Sequence, residues 1–359
     1  MREVHIRKDD LRVARVVDVA SVPLAEGVAR LRLDLFALTA NNITYAVMGA
    51  GTLAYWEFFP GPEGWGRPPV WGFATIVQSK SPSVEEGARM YGYFPISETL
   101  DVIPAKVAPY SFMDSTPHRR AKATVYNQYL NAIADPVYDG AYEPEQTLFR
   151  PLYATGWWAA DCVHHGQPSP RTVVISSASS KTALATAHQL RRLGGAEIVA
   201  LTSPRNEAYV RDTGLYHRTF TYEAVESVRA EAPAAYLDFL GRDTLTAAVH
   251  RTLGASLVRS ILIGATDWGS KPGGVLPPVT APEGPKPEFF FVPTYAATRI
   301  KSDGELGAAM QRDLRAFYPV SRAFVVARRV AGIDGILESW TRLAAGTTSP
   351  REGLVLSFI

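Results

Sequence analysis

With a single cysteine, Cys162, in 359 residues, the chain lacks both the pair needed for an internal disulfide and the cysteine cluster of a zinc lobe. No apolar run approaches the roughly eighteen residues of a membrane span, and the opening MREVHIRKDDLR is charged where a secretory signal would be apolar. These absences point to a cytoplasmic, metal-independent protein and away from secretion or membrane spanning. Charge of one sign is also missing: 37 basic residues against 35 acidic ones leave +2, too little for the electrostatic footprint of nucleic-acid binding. Internal repeats and low-complexity tracts are absent. What remains is an ordinary globular composition, 47% hydrophobic and 20% charged, at a length that suits two domains.

The most informative stretch is RTVVISSASSKTALATAHQLRRLGGAEIVALTSPRN, residues 171–206. Thr172 to Ile175 is a β-branched run of the kind found in a parallel strand covered on both faces. Ala183, Leu184, Ala187, Leu190 and Leu193 then fall on one helical face, and Gly194-Gly195 tolerates a left-handed stop. A second strand over residues 197–201 completes a βαβ unit. Its turn has no glycine. Ser177, Ser179, Ser180 and Thr182 offer small hydroxyls, and Lys181 a cation, where a dinucleotide fold would hold phosphates; the same residues also suit a plain helix cap. After the second strand no carboxylate occurs before Glu207, so the usual partner of a ribose hydroxyl is missing. Ser203, Arg205 and Asn206 stand there instead, which favours the 2′-phosphate of NADP over NAD, against the alternative of a solvated polar loop.

Residues 1–110 have the alternation and Gly/Pro punctuation of a β-rich barrel, with strands expected at 28–36, 70–77 and 90–94. Residues 111–150 read as loops around a short helix at 124–133. Beyond the βαβ unit, apolar segments at 235–240, 257–264 and 289–292 suit an open parallel sheet. The intervening DWGSKPGGVLPPVTAPEGPKPE, residues 267–288, is expected to be a surface loop or a subunit contact. A helix over 320–345 and a strand over 354–359, positioned to rejoin the first domain, close the chain.

This order, together with LTANNITYAVMG, PVWGFATIV, EEGARMYGYFP, SSASSKTA and LTSPRN, resembles the DUF2855 family within the quinone oxidoreductase-like branch of the medium-chain dehydrogenases/reductases. The resemblance implies an α/β fold, a GroES-like β-barrel domain (1–150, joined by 320–359) plus a Rossmann-like parallel-sheet dinucleotide-binding domain (151–319). It also implies a homodimer. Zinc-dependent relatives carry Gly-His-Glu where this chain has Gly72-Phe73-Ala74, and their catalytic cysteine is missing near Asn41-Asn42, so a zinc site is not expected. Asn41 is placed among the cofactor contacts, and Asn42, Thr44 and Tyr45 at the reacting group, with Tyr45 either the proton donor or a packed aromatic.

Other features have two readings each. Tyr55, Trp56, Phe58, Phe59 and Trp65 mark either an exposed binding surface for a bulky or aromatic substrate or a satellite core. Asp114 and His118 suit a turn better than an acid/base pair, His164-His165 lacks a third metal ligand, and Trp157-Trp158 suits packing. The leading expectation is a zinc-independent NADP(H)-dependent oxidoreductase acting on a small-molecule carbonyl or activated C=C. Its rivals are a lyase or hydrolase on the same scaffold and a non-catalytic nucleotide sensor.

Overall fold

The computed structural model describes residues 1–51, 53–264 and 283–359; most of the Pro- and Gly-rich segment at 267–288 lies outside them. In chain order the strands begin with β1 (Arg2–Arg7), β2 (Ala14–Asp18), β3 (Ala29–Leu38), β4 (Trp65–Gly66), β5 (Pro69–Ser79) and β6 (Arg89–Pro95). They continue with β7 (Thr99–Val102), β8 (Pro104–Ala108), β9 (Ser111–Asp114), β10 (Gln128–Asn131), β11 (Thr172–Ile175) and β12 (Glu197–Thr202). The last are β13 (Arg218–Thr221), β14 (Ala234–Asp238), β15 (Leu257–Leu262), β16 (Glu288–Phe289), β17 (Val326–Ala331) and β18 (Glu352–Ser357). The helices are α1 (Ala40–Val47), α2 (Glu143–His164), α3 (Lys181–Leu193), α4 (Glu207–Asp212), α5 (Asp243–Leu253), α6 (Val292–Ser302), α7 (Leu306–Ser321) and α8 (Ile333–Ala344).

The chain divides into two compact units. Among the described residues, the first comprises Met1–Leu148 and Arg315–Ile359, and the second the rest. In the first unit a sheet in the order β17-β18-β3-β5-β6-β10-β9-β8, with β7 also on β3, is antiparallel except for the β17–β18 pair. The C-terminal strand β18 pairs with β3 through Leu356↔Phe36 and Leu354↔Leu38, which brings the end of the chain into the first sheet. A smaller sheet, β2-β1-β4, completes this unit.

The second unit holds a parallel sheet in the order β13-β12-β11-β14-β15-β16. All four residues of β11 are buried, as its uninterrupted β-branched run requires. Val174, Val199, Leu201, Tyr236, Leu245 and Val249 share one core cluster, each buried aliphatic side chain contributing about 1.5–3 kcal/mol relative to exposure. Helix α3 stops where Gly194 and Gly195 take φ of 70° and 82°, conformations that cost a Cβ-bearing residue dearly. Gly156 of α2 sets a second close approach: a Cβ there would lie 2.8 Å from the Thr186 nitrogen and 3.0 Å from the Thr182 oxygen of α3.

Three local expectations fail. The segment 320–345 is not one helix: α7 ends at Ser321, β17 intervenes, and α8 starts after Gly332 at φ 85°. Pairing of Val326–Ala331 along β18 outweighs its helical propensity. Residues 124–133 form a short 3-10 turn and then β10, because Tyr129 and Leu130 pair with Phe112 and Ser111. The supposed loops of 111–150 therefore contain β9, β10 and the start of α2.

Candidate functional site

In the second unit the turn between β11 and α3 is built from hydroxyls. Ser180 has extended backbone angles at the N-cap, and its Oγ accepts from the Ala183 nitrogen at 3.3 Å. Its own nitrogen donates to the Ser177 carbonyl at 2.8 Å, closing a tight turn. Ser177 sits at φ 47°, a left-handed conformation rare for a residue with a Cβ. The turn thus has a glycine-like backbone without a glycine, and a serine bears the strain.

The two predicted halves of the phosphate region meet. Asn206 Nδ2 donates to Ser179 Oγ at 3.0 Å, tying the segment after β12 to the turn before α3. Lys181 is the first residue of α3 and half-buried, Thr182 follows it, and Arg205 is exposed beyond the end of β12. Thr202 is fully buried, and among the described residues neither its Oγ1 nor the buried Ser203 Oγ has a hydrogen-bond partner.

Asp238, Tyr222 and Arg242, which the sequence did not single out, frame this turn. Ser176 Oγ donates to Asp238 Oδ1 at 2.7 Å, and Asp238 also accepts from the nitrogens of Leu240 and Gly241 and from Thr246 Oγ1. Tyr222, immediately after β13, hydrogen-bonds to Ser177, and Arg242 lies 5.4 Å over its ring. Burial pushes the Tyr222 phenol up to about 12, against the pull of Arg242 and Ser177. The available signals were slight: an acidic residue closing the apolar run AAYLD, and a tyrosine directly after a strand.

In the first unit Asn41, Asn42, Thr44 and Tyr45 all lie on α1. Asn42 is buried and its amide is committed to the fold. Its Oδ1 accepts from the Thr39 nitrogen at 2.7 Å, and its Nδ2 donates to the Pro69 carbonyl at 2.9 Å. Thr44 Oγ1 donates back to the Ala40 carbonyl at 3.4 Å. These bonds tie both side chains to the backbone around α1. Tyr45 is buried, accepts from Trp71 Nε1 at 3.0 Å, and packs 4.6 Å from the Tyr55 ring. Burial first, and then Tyr126, raises its phenol far above the usual value, while Trp71 and half-buried Asn41 pull the other way. Such a phenol polarises by hydrogen bonding more readily than it gives up a full proton.

Four of the five aromatics of the segment are core and not an exposed surface, and Trp65 is half-buried with Arg15 over its ring. Tyr55, Trp56, Phe58 and Phe59 are buried, and a Cβ at Gly49 or Gly66 would fall within 2.4 Å of the Trp56 indole. Phe73 and Ala74 are also fully buried, and no group of three or more potential metal ligands occurs among the described residues. Asp114 Oδ1 accepts from Thr116 in a turn, and His118 Nε2 bonds the Phe58 carbonyl. Within the second unit, Trp157 and Trp158 are buried against each other at 4.6 Å, and His165 is tied to Asp161. No described helix is long and apolar enough to cross a membrane.

No curated protein matches the sequence. Solved structures match along almost the whole chain. CurA from Vibrio vulnificus, in complex with NADPH, is 12% identical with a TM-score of 0.62, covering 100% of this chain and 99% of that one. The yhdH oxidoreductase from Salmonella enterica, in complex with NADP, is 14% identical with a TM-score of 0.54 and 99% coverage of both chains. A quinone oxidoreductase from Coxiella burnetii is 15% identical with a TM-score of 0.57, again over 99% of both. At these identities the likeness establishes the fold: α/β, with a GroES-like barrel and a Rossmann-like parallel sheet. Residues 36–349 match the family described as protein of unknown function (DUF2855), and the chain belongs to that family.

Proposed function

We propose that the chain is a zinc-independent, NADP(H)-dependent oxidoreductase that reduces the carbonyl or activated C=C of a bulky or aromatic small molecule. The observation that carries this reading is the partnerless, buried hydroxyl pair of Thr202 and Ser203 at the carboxyl end of β12, tied through Asn206 to the turn before α3. A buried hydroxyl without a partner costs about 1–3 kcal/mol, and a polar ligand at this edge of a parallel sheet removes that cost. The donor set fits a dinucleotide. Ser177, Ser179, Ser180, Lys181 and Thr182 surround the N-terminus of α3, where phosphate is favoured, while Ser203 and Arg205 suit a 2′-phosphate.

When bound, the cofactor supplies a hydride at its nicotinamide ring. The protein's part is to hold the phosphates, and to offer Tyr45, steadied by Trp71 and Asn41, as a neutral donor toward oxygen that gains negative charge. Buried Phe73 and Ala74 have no atoms that ligate zinc, which supports chemistry without the metal. The neighbours bound to NADPH and NADP support the cofactor assignment by fold likeness. The same reading carries a cytoplasmic homodimer with a small-molecule substrate and neither nucleic acid nor membrane as partner.

The test is loss of nicotinamide absorbance when NADPH and a panel of aromatic conjugated carbonyl compounds are mixed with purified protein. Consumption that a chelator leaves unchanged is the expected result. Stoichiometric zinc, or no consumption across the panel, contradicts the assignment.

A further inference from the structure

The backbone of the turn before α3 is tied to phenols from both ends of β13. Tyr216, just before that strand, donates to the Ala178 carbonyl at 2.7 Å. Tyr222, directly after it, takes hydrogen bonds from the nitrogen and the hydroxyl of Ser177 on its phenol oxygen. The other main-chain groups here are bonded as well. The Ser177 carbonyl accepts from the Ser180 nitrogen at 2.8 Å, and the Ala178 nitrogen donates to the Leu201 carbonyl at 3.1 Å. Ser177 therefore commits its N–H to Tyr222, and the donors left to face a phosphate begin at Ser179.

Ser177 is the residue in this turn that most needs an outside hold. It is buried at φ 47°, a conformation that glycine takes freely and a residue with a Cβ resists. Relaxation toward negative φ would swing the peptide leading into Ala178 and carry Ser179 and Ser180 with it. Tyr222 is built to oppose that movement. Its ring packs against the core cluster that contains Val174, Val199, Leu201 and Tyr236, and the Arg242 guanidinium lies 5.4 Å over its ring. The phenol oxygen is thereby a fixed point above the sheet.

We propose that Tyr222 is a positioning residue for the phosphate turn: it holds Ser177 in the left-handed conformation that a glycine would adopt unaided, and so keeps Ser179, Ser180 and Lys181 where a dinucleotide phosphate binds. The proposal deepens the oxidoreductase reading and rests on it for the turn's use, whereas the hold on Ser177 is a property of the cofactor-free chain.

The experiment is a double-mutant cycle of Tyr222→Phe and Ser177→Gly in the full-length protein. It is read by fluorescence titration with NADPH and, without cofactor, by hydrogen exchange over residues 176–183. Phenylalanine keeps the packed ring and removes only the oxygen, so every protein of the cycle is expected to fold. In the unaltered chain, Tyr222→Phe should weaken NADPH binding and speed exchange over the segment about five- to ten-fold, the scale of one hydrogen bond. Added to Ser177→Gly, the same change should alter either readout by no more than about two-fold, because glycine needs no hold to stay at positive φ. A Tyr222 that only packs would give the same loss in both backgrounds. Equal losses, or no loss in either background, overturn the proposal. Serine-dependent exchange without any NADPH binding by the unaltered protein would sustain the hold on Ser177 and count against the oxidoreductase reading alone.

Discussion

The Ser176 hydroxyl donates to the Asp238 carboxylate across 2.7 Å, joining the ends of the adjacent strands β11 and β14 directly beneath the serine turn. Ser176 Oγ also accepts from the nitrogens of Phe239 and Leu240, so the two side chains satisfy the backbone where β14 turns toward α5. Asp238→Ala would remove one acceptor from each of the Leu240 and Gly241 nitrogens and the Ser176 and Thr246 hydroxyls, although Leu240 keeps Ser176 Oγ and Thr246 keeps the Arg242 carbonyl. The expected loss is about 3 kcal/mol of unfolding free energy, with a smaller loss for Asp238→Asn, which keeps one acceptor oxygen. Urea unfolding of the three proteins measures this directly.

Close approach of α2 to α3 depends on Gly156. A valine there places carbon 2.8 Å from the Thr186 nitrogen and 3.0 Å from the Ala185 Cβ, neither of which is a flexible side-chain end. Gly156→Val is expected to cost about 1–3 kcal/mol through overpacking and to shift the first turns of α3. Thermal unfolding reports the cost, and weakened NADPH binding reports the shift.

His188 on α3 gives a pH dependence whose direction is set by burial and then by the charge of Arg192, which together lower its folded-state pKa from 6.5 to about 4 despite opposition from Asp313. The folded state thus holds a neutral ring where the unfolded chain takes up a proton. Its contribution is fully present above pH 6.5 and is lost as the pH falls toward 4. His188→Gln should flatten that slope in unfolding free energy measured across the interval; an unchanged slope would assign the acid sensitivity to other groups.

Much of the fold was legible because its signals are local. The β-branched run of β11, the apolar face of α3 and its Gly194-Gly195 stop each follow from a few neighbouring residues. The segments misjudged were those decided by distant partners: β17 by β18, and β10 by β9 and β6. The same distinction holds at the site. Ser177, Ser179 and Ser180 announced themselves by spacing, whereas Asp238, Tyr222 and Arg242 acquire meaning only through chain folded beside them. The backbone bonds of Asn42 and Thr44 were not legible, because a polar side chain on a short helix looks the same in sequence whichever way it faces.

The proposed phosphate cradle is built without glycine and prefers the 2′-phosphorylated cofactor. Fluorescence titration of the purified protein with NADPH and with NADH tests it most directly. Tighter binding of NADPH is predicted, weakened by Lys181→Ala and by Arg205→Ala, with the Arg205 change also narrowing the preference over NADH. Equal affinity for the two cofactors would contradict the 2′-phosphate assignment, and no binding of either would contradict the cradle itself.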